Sequence, residues 1–181
     1  MRYETERLTL RTINISDLEL FKDYLIRNQA FLSEWEPERE DDYYSDVNIL
    51  DLIENEIASN LEGSGLRLHI SLKGEERIIG SIALSNIVRG PFQSCFIGYK
   101  LDQDEINKGY MTEALKKIID IAFKEFKLHR IEANIMPKNQ RSIKVVTKAG
   151  FEYEGLSKRY LKINGIWEDH AHYTILNSAL E

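Results

Sequence analysis

Apolar residues recur along residues 111–126 at the intervals of an amphipathic helix. They occupy Met111, Ala114, Leu115, Ile118, Ile119, Ala122 and Phe126. Steps of three and four residues place these side chains on one face, so the pattern predicts a helix from Thr112 with one buried stripe. The same rule predicts a helix over 17–28, capped by Ser16, and another over 46–61.

Alternating or continuous apolar runs bounded by turn residues predict strands. The runs are "RLTLRTI", "LRLHISLK", "RIIGSIALSNI", "SCFIGYKL", "RIEANIM" and the two arms of "YLKINGIWEDHAHYTIL". Asn164-Gly165 in the last run is the two-residue signal of a hairpin. A short helix from about Gln140 to Lys148 is also predicted, because Gly150 suits the left-handed position that follows a helix.

The order of these elements predicts the fold class. Strand, two helices, three strands, helix, strand, helix and hairpin indicate an α+β protein with a mixed, mainly antiparallel central sheet flanked by helices. The helix from Thr112 should connect two neighbouring parallel strands, because parallel neighbours need a long crossover. We expect one domain over residues 1–181, with its core at about 5–176.

Composition favours a folded protein of the cytoplasm. The chain has 181 residues, of which 43% are hydrophobic, enough for a sizeable core. It contains no apolar run of about 18 residues and its first residues are charged, so we expect neither a membrane span nor an export signal. The single cysteine, Cys95, lies in an apolar run. It permits no disulfide within the chain and favours a buried structural thiol.

The charge distribution limits the classes of partner that the protein could bind. A net charge of −6 argues against a general nucleic-acid binder and is compatible with a basic partner. Acids concentrate in "SEWEPEREDDYYSD", at Glu34, Glu36, Glu38, Glu40, Asp41, Asp42 and Asp46. Such a run is usually a solvated loop; the alternative is a docking site for a cationic substrate.

The segment just before the long helix has the residues of an anion site. A helix N-terminus offers free backbone amides and about half a positive charge. Gly109 lets the loop bring those amides close to an anion, and Lys108 adds a formal charge. Residues 106–112 therefore predict a cradle for phosphate or pyrophosphate.

The succession "CFIGYKL", loop, helix and "HRIEANIMPKNQRSIKVVTKAGFEYEG" resembles the GCN5-related N-acetyltransferase superfamily. In that superfamily the loop binds the pyrophosphate of coenzyme A with the pattern Gln or Arg, two residues, Gly, one residue, Gly or Ala. Here the three positions are Ile106, Gly109 and Met111, so only the glycine is kept. The resemblance implies acetyl-CoA as co-substrate, held by Tyr99, Lys100, Leu101, Asn107, Lys108, Gly109, Tyr110, Met111, Thr112, Asn134, Asn139 and Ser142.

Asn139 and Ser142 match the superfamily's "N-x-x-S" segment, which borders the pantetheine arm. Asparagine is also a good N-cap, so Asn139 has a structural explanation as well. Both roles can hold at once, since a capping residue can also bond a ligand.

The segments "TERLTLR", "FLSEWEPERE", "KGYMTEAL", "NQRS" and "INGIWEDH" are similar to the RimJ-type ribosomal-protein alanine N-acetyltransferases. The similarity runs from about Thr5 to His172. It implies acetyl transfer to the α-amine of an N-terminal alanine on a basic ribosomal protein, the fifth of the small subunit. It also implies contact with assembling ribosomal particles, without nucleic-acid specificity or membrane attachment. Oligomeric state stays open.

The chemistry needs a neutral amine, a base and a proton for the thiolate. About a quarter of an α-amine but only about a thousandth of a lysine is neutral near pH 7.4, so an N-terminus needs modest help. Many members of the family that the chain resembles carry a glutamate at the position of Phe96, so here the base lies elsewhere or water carries the proton. Glu36, beside the acceptor residue Trp35, is the first candidate and His69 the second; His129, His170 and His172 follow. The resemblance puts Ser142 near the sulfur as the acid, and Phe96 in the acceptor site.

Two other functions stay open. One is a small-molecule acetyltransferase acting on a polyamine or aminoglycoside, because the same cofactor half and acidic acceptor groove would serve either kind of substrate. A non-enzymatic coenzyme A-binding module would explain Phe96 and the missing Gln or Arg. No Cys/His spacing predicts a metal site.

Overall fold

An eight-stranded sheet organises the chain, in the order β1-β2-β3-β4-β5-β6-β8-β7. The computed structural model describes residues 1–180; Glu181, the end of the predicted domain, and the side chain of Asp41 lie outside the described part. The strands are β1 (Arg2–Glu4), β2 (Leu8–Arg11), β3 (Leu66–Leu72), β4 (Gly80–Val88), β5 (Ser94–Leu101), β6 (Arg130–Ile135), β7 (Glu152–Ile163) and β8 (Ile166–Leu176). Every strand pair is antiparallel except β5 and β6, which confirms the predicted mixed sheet.

Four α-helices flank the sheet. They are α1 (Leu18–Leu32), α2 (Asp46–Glu62), α3 (Tyr110–Lys124) and α4 (Gln140–Lys148). The predicted hairpin turn is present, with both Asn164 and Gly165 at positive φ. Two expectations at the chain start were wrong: Asn14, not Ser16, caps the first helical turn, and α1 runs to Leu32. Strand β1 was missed because three residues are too few to show alternation.

The two faces of the sheet carry separate cores. Helices α3 and α4 pack on the face formed by Leu68, Ile97 and Ile131, among others. Helices α1 and α2 cover the opposite face, where His69 of β3 meets Phe21 of α1 with 5.0 Å between ring centroids. Cys95 is buried, as predicted, and burial raises the pKa of its thiol to about 12, so it stays protonated.

The parallel pair β5–β6 is short, and this creates an opening in the sheet. Its register covers Ser94 with Arg130, Cys95 with Ile131 and Phe96 with Glu132. Beyond these pairs β5 continues to Leu101 along β4, whereas β6 continues along β8. The strands therefore diverge into a fork, and α3 is the crossover that connects them, as predicted.

Candidate active site

A cleft of about 840 Å³ opens at the fork. Strand residues alternate between faces, and those lining the cleft come from both faces of the sheet. Tyr99 and Leu101 lie on the side of α3 and α4, whereas Gly98 and Lys100 lie on the side of α1 and α2. The cleft thus has two arms. We name the one bounded by α3 and α4 the cofactor arm, and the one bounded by α1 and the segment that follows it the acceptor arm, after the roles that the sequence predicts for their residues.

The N-terminus of α3 forms the floor of the cofactor arm. The first helical hydrogen bond is donated by the Glu113 N–H to the Gly109 carbonyl at 3.1 Å, so the amides of Tyr110, Met111 and Thr112 precede it. Gly109 has φ +83°, a conformation that side chains disfavour, and Asn107 also has positive φ. This backbone presents three amides and the positive end of the helix dipole to the cleft, as an anion cradle requires.

Arg7 fixes this loop from outside. Its guanidinium donates to the Lys108 carbonyl at 2.9 Å and to the Glu113 carboxylate at 2.8 Å, and it stacks on the Tyr110 ring. Lys108 itself is paired, because its ammonium lies 2.9 Å from the buried Glu105 carboxylate. The cradle therefore depends on amides more than on the Lys108 charge.

Helix α4 brings two polar groups together above the fork. The Asn139 side chain accepts a hydrogen bond from the Ser142 N–H at 3.1 Å, so Asn139 is the N-cap of α4. The Tyr99 hydroxyl lies 2.8 Å from Ser142 Oγ and 3.1 Å from the Ser142 carbonyl oxygen. Burial raises the pKa of the Tyr99 phenol, although its bond to Ser142 opposes the shift, so the phenol stays a proton donor.

Three basic residues of α4 that the sequence analysis did not single out line the same arm. Arg141, Lys144 and Lys148 follow each other at intervals of three and four residues, which places them on one face. This spacing is visible in the sequence and could have predicted a basic face on α4. A basic stripe beside the amides of α3 suits a polyanionic cofactor.

The acceptor arm contains Glu36, the one carboxylate among the described cleft-lining residues. Its carboxylate accepts from Lys100 Nζ at 2.8 Å and from Arg39 at 3.4 Å. Burial alone would raise the pKa of Glu36, but Lys100 and Arg39 outweigh it and hold this pKa below its ordinary value. Burial lowers the pKa of Lys100 despite Glu36. Glu36 is therefore a weak proton acceptor, better suited to binding than to the base role.

Most predicted site residues meet at the cleft. The cleft is lined by Trp35, Glu36, Tyr99, Lys100, Leu101, Asn107, Lys108, Gly109, Tyr110, Met111, Thr112, Asn139 and Ser142. Phe96 and Asn134 do not line it. Phe96 sits where β5 still pairs with β6, and Asn134 lies on β6 with its Nδ2 directed to the Tyr160 hydroxyl at 3.4 Å.

The histidines lie outside the cleft. His69 is 1% exposed and bonds Glu56 at 2.8 Å, which accounts for it as a packed residue of the α1–α2 face. Burial lowers the pKa of His170, whose ring contacts the backbone of Glu168. His172 lies on β8 among polar side chains.

The comparisons with known proteins agree with this geometry. A family model described as an acetyltransferase (GNAT) domain matches residues 7–152. The chain therefore belongs to the GNAT acetyltransferase family, as its sequence motifs indicated.

Individual relatives cover nearly the whole chain. A probable N-acetyltransferase of Bacillus subtilis, YjcK, is 40% identical and covers 93% of each chain. The [ribosomal protein uS5]-alanine N-acetyltransferase of Escherichia coli is 38% identical over 94% of this chain and 88% of its own. The structure of Mycobacterium smegmatis RimJ in complex with CoA-disulfide superposes with a TM-score of 0.89 at 31% identity, over 96% of this chain and 83% of that one.

The described part of the chain, residues 1–180, has neither a membrane-spanning helix nor a metal-ligand cluster. Within this range no helix is long and apolar enough to cross a bilayer. The side chains described there also form no group of three or more His, Cys, Asp or Glu placed to hold a metal ion.

The Glu36–Lys100 pair gives a direct electrostatic prediction. In Lys100→Met, burial acts on Glu36 with only the longer Arg39 contact opposing it, so the pKa of Glu36 should rise above that in the wild type. A carbon-detected NMR titration of the Glu36 carboxyl measures it. Arg39→Met should raise this pKa less. Equal pKa values in all three proteins would contradict the assignment of Lys100 as the main partner.

Proposed function

We propose that the protein transfers the acetyl group of acetyl-CoA to the α-amine of a protein N-terminus, with an N-terminal alanine of a basic ribosomal protein as acceptor. The observation that carries this proposal is the two-armed cleft at the fork. An anion cradle and a basic helix face line one arm, and Trp35 with the paired Glu36 lines the other. The E. coli relative that acts on an alanine of ribosomal protein uS5 supports the choice of acceptor.

The cofactor arm suits coenzyme A in its charge and shape. The amides of Tyr110, Met111 and Thr112 would receive the pyrophosphate, and the basic face of α4 would balance further phosphate charge. The pantetheine arm would then run along the edge of β5 that faces β6. Beyond Phe96 this edge has no described strand partner. Asn139 and Ser142 border that path from α4.

The residues present can perform direct attack. A neutral amine in the acceptor arm attacks the thioester carbonyl, forming the N–C bond and an oxyanion. Backbone amides of β5 facing the fork are donors for that oxyanion. When the C–S bond breaks, the thiolate takes a proton from Ser142 Oγ, which the Tyr99 hydroxyl holds in place at 2.8 Å. The proton lost by the newly acylated nitrogen passes through water to Ser142, which restores its hydroxyl.

The charge of the acceptor arm favours an N-terminal peptide over a polyamine. Arg39, Arg67 and Lys100 line this arm, and the carboxylate of Glu36 is already paired with two of them. Arg67 is itself paired with Glu56 at 3.1 Å, so a polyamine would bring several positive charges to an arm whose described lining offers no unpaired carboxylate. A peptide N-terminus brings one amine that is partly neutral near pH 7.4.

The test of the acceptor is acetyl transfer to a basic peptide beginning with alanine and, separately, to spermidine. We expect acetylation of the peptide, located at its α-amine by tandem mass spectrometry, with little modification of spermidine. An otherwise identical peptide with a blocked α-amine is the control for lysine modification. Acetylation of spermidine alone would overturn the proposed acceptor and retain acetyl-CoA as the donor.

The anion cradle predicts a charge-specific effect at Gly109. Gly109→Asp should weaken acetyl-CoA binding by about tenfold or more, because it adds a negative charge beside the α3 amides and puts its Cβ 3.4 Å from the Arg7 guanidinium that fixes the loop. Gly109→Asn separates charge from shape and should bind more tightly than the Asp variant. Gly74→Asp, at a similar φ of +82° with open space around it, is the positional control. Calorimetric titration gives the affinities; equal values for the Asp and Asn variants at 109 would reject the cradle.

The acid role predicts a selective loss in Ser142→Ala. The substitution keeps the Ser142 N–H that Asn139 caps, so α4 should remain intact. We expect kcat to fall about 10- to 100-fold with acetyl-CoA affinity changed less than twofold. Steady-state kinetics and calorimetry measure the two quantities. An unchanged kcat would show that Ser142 has a structural role and is not the acid.

A further inference from the structure

A serine, a histidine and a glutamate are hydrogen-bonded in series outside the cleft. His172 Nε2 lies 2.8 Å from Ser157 Oγ, and His172 Nδ1 lies 2.9 Å from the Glu132 carboxylate. The three residues come from β7, β8 and β6 and share the sheet face opposite α3 and α4. This is the connectivity of a serine nucleophile, its base and the group that orients the base.

The charge of Glu132 fixes the direction of its own hydrogen bond to His172, and the direction of the Ser157 bond then follows for a neutral imidazole. Burial would raise the pKa of Glu132, but His172 and Arg130 outweigh it and hold that pKa below its ordinary value, so Glu132 is a carboxylate. A carboxylate only accepts, so His172 Nδ1 donates to it. In the neutral ring Nε2 is then the acceptor, and the Ser157 hydroxyl donates to it. The serine is thereby aimed at its base.

Ring packing and neighbouring charges hold the imidazole in this position. The Tyr160 ring meets His172 edge to face, with centroids 5.1 Å apart. Arg130 pairs with Glu132 at 3.0 Å and also with Glu154, while the His170 ring also packs against Tyr160.

The backbone next to Ser157 is irregular. The register between β7 and β8 shifts between Ser157 and Leu161, and Arg159 within this bulge has φ +51°. The Arg159 N–H is held by the Asp169 carboxylate at 2.8 Å. Bulges and left-handed non-glycine residues are enriched beside functional side chains, because they re-aim a residue at the cost of local strain.

Ser157 also faces free space. A pocket of about 260 Å³ is lined by Glu132, Glu154, Gly155, Leu156, Ser157 and His172. Its size suits a small acyl group. Two carboxylates in the lining repel anions, so the polyphosphate of coenzyme A is a poor occupant and a neutral ester a better one.

We propose that Ser157, His172 and Glu132 form a second catalytic site that hydrolyses small, neutral acyl esters. Ser157 Oγ attacks the ester carbonyl carbon as its proton moves to His172 Nε2. The ester C–O bond breaks, and the alcohol leaves with that proton. Water then attacks the acyl-serine, again giving its proton to His172, and Ser157 recovers the proton as the carboxylic acid departs. Glu132 keeps the Nδ1–H tautomer throughout.

A fluorophosphonate probe tests the nucleophile directly. Attack by Ser157 forms an O–P bond and expels fluoride, adding one phosphonyl group that is seen in the intact mass and mapped by peptide sequencing. We expect labelling at Ser157 and measurable hydrolysis of p-nitrophenyl acetate. Both should vanish in Ser157→Ala, and both should slow by about 100-fold or more in His172→Gln, because the activating base is lost.

Matched variants separate the triad from general reactivity. Ser33→Ala removes an exposed serine whose hydroxyl donates to the Ala30 carbonyl, and should label like the wild type. Glu152→Gln removes an exposed carboxylate at the start of β7 that is not part of the pocket lining, and should retain hydrolysis. An unchanged acetyl-CoA affinity in each variant shows that the fold is intact.

Three results would overturn the proposal. They are no adduct at Ser157 in the folded wild type, full hydrolysis by Ser157→Ala, and wild-type labelling of His172→Gln. None of them bears on acetyl transfer, which uses a different cleft and is measured with acetyl-CoA.

Discussion

The site depends on a short parallel contact between β5 and β6. Three residue pairs hold these strands together, and then each follows a different antiparallel neighbour. If the parallel pairing continued, its hydrogen bonds would close the sheet and leave no room at Gly98 or Tyr99. Because it stops at Phe96 and Glu132, the sheet is open in its middle, and α3, the crossover between the two strands, begins at the edge of that opening. Cofactor and acceptor residues can then approach one point from opposite faces.

Local patterns predicted most of the elements and the loop at the start of α3, because each is encoded by neighbouring residues. The α3 stripe, the Asn164-Gly165 turn and the loop around Gly109 are each readable from a few consecutive residues. The pairing of Glu36 with Lys100 was not readable, because 64 positions separate them and no pattern couples them. For the same reason an acidic groove was expected where the structure has a basic arm with one neutralised carboxylate. The acidic run was expected to supply Glu36 as the proton acceptor, and this pairing makes Glu36 a weaker base.

The placements of Phe96 and Asn134 show a second limit of sequence reasoning. Both lie on strands that border the fork. A sequence motif can predict such a strand, but it does not predict the residue at which the strand separates from its neighbour. The Oδ1 atom of Asn134 is buried and has no described hydrogen-bond partner. Leaving such an atom without a partner costs about 1–3 kcal/mol of folding free energy. The triad of Ser157, His172 and Glu132 comes from three strands and has no sequence signature, since the bulge in β7 sets which side chains meet.

Arg7 has a consequence for how the chain folds. Its contacts with Lys108 and Glu113 join positions 101 and 106 residues apart. Such distant contacts form late, since a long loop must first be closed. The cradle at α3 should therefore take its final shape only after β2 has docked beside β3 and the central strands have assembled. Affinity for an anion at this helix would then be acquired with the native state, and partly folded chains would not sequester the cofactor.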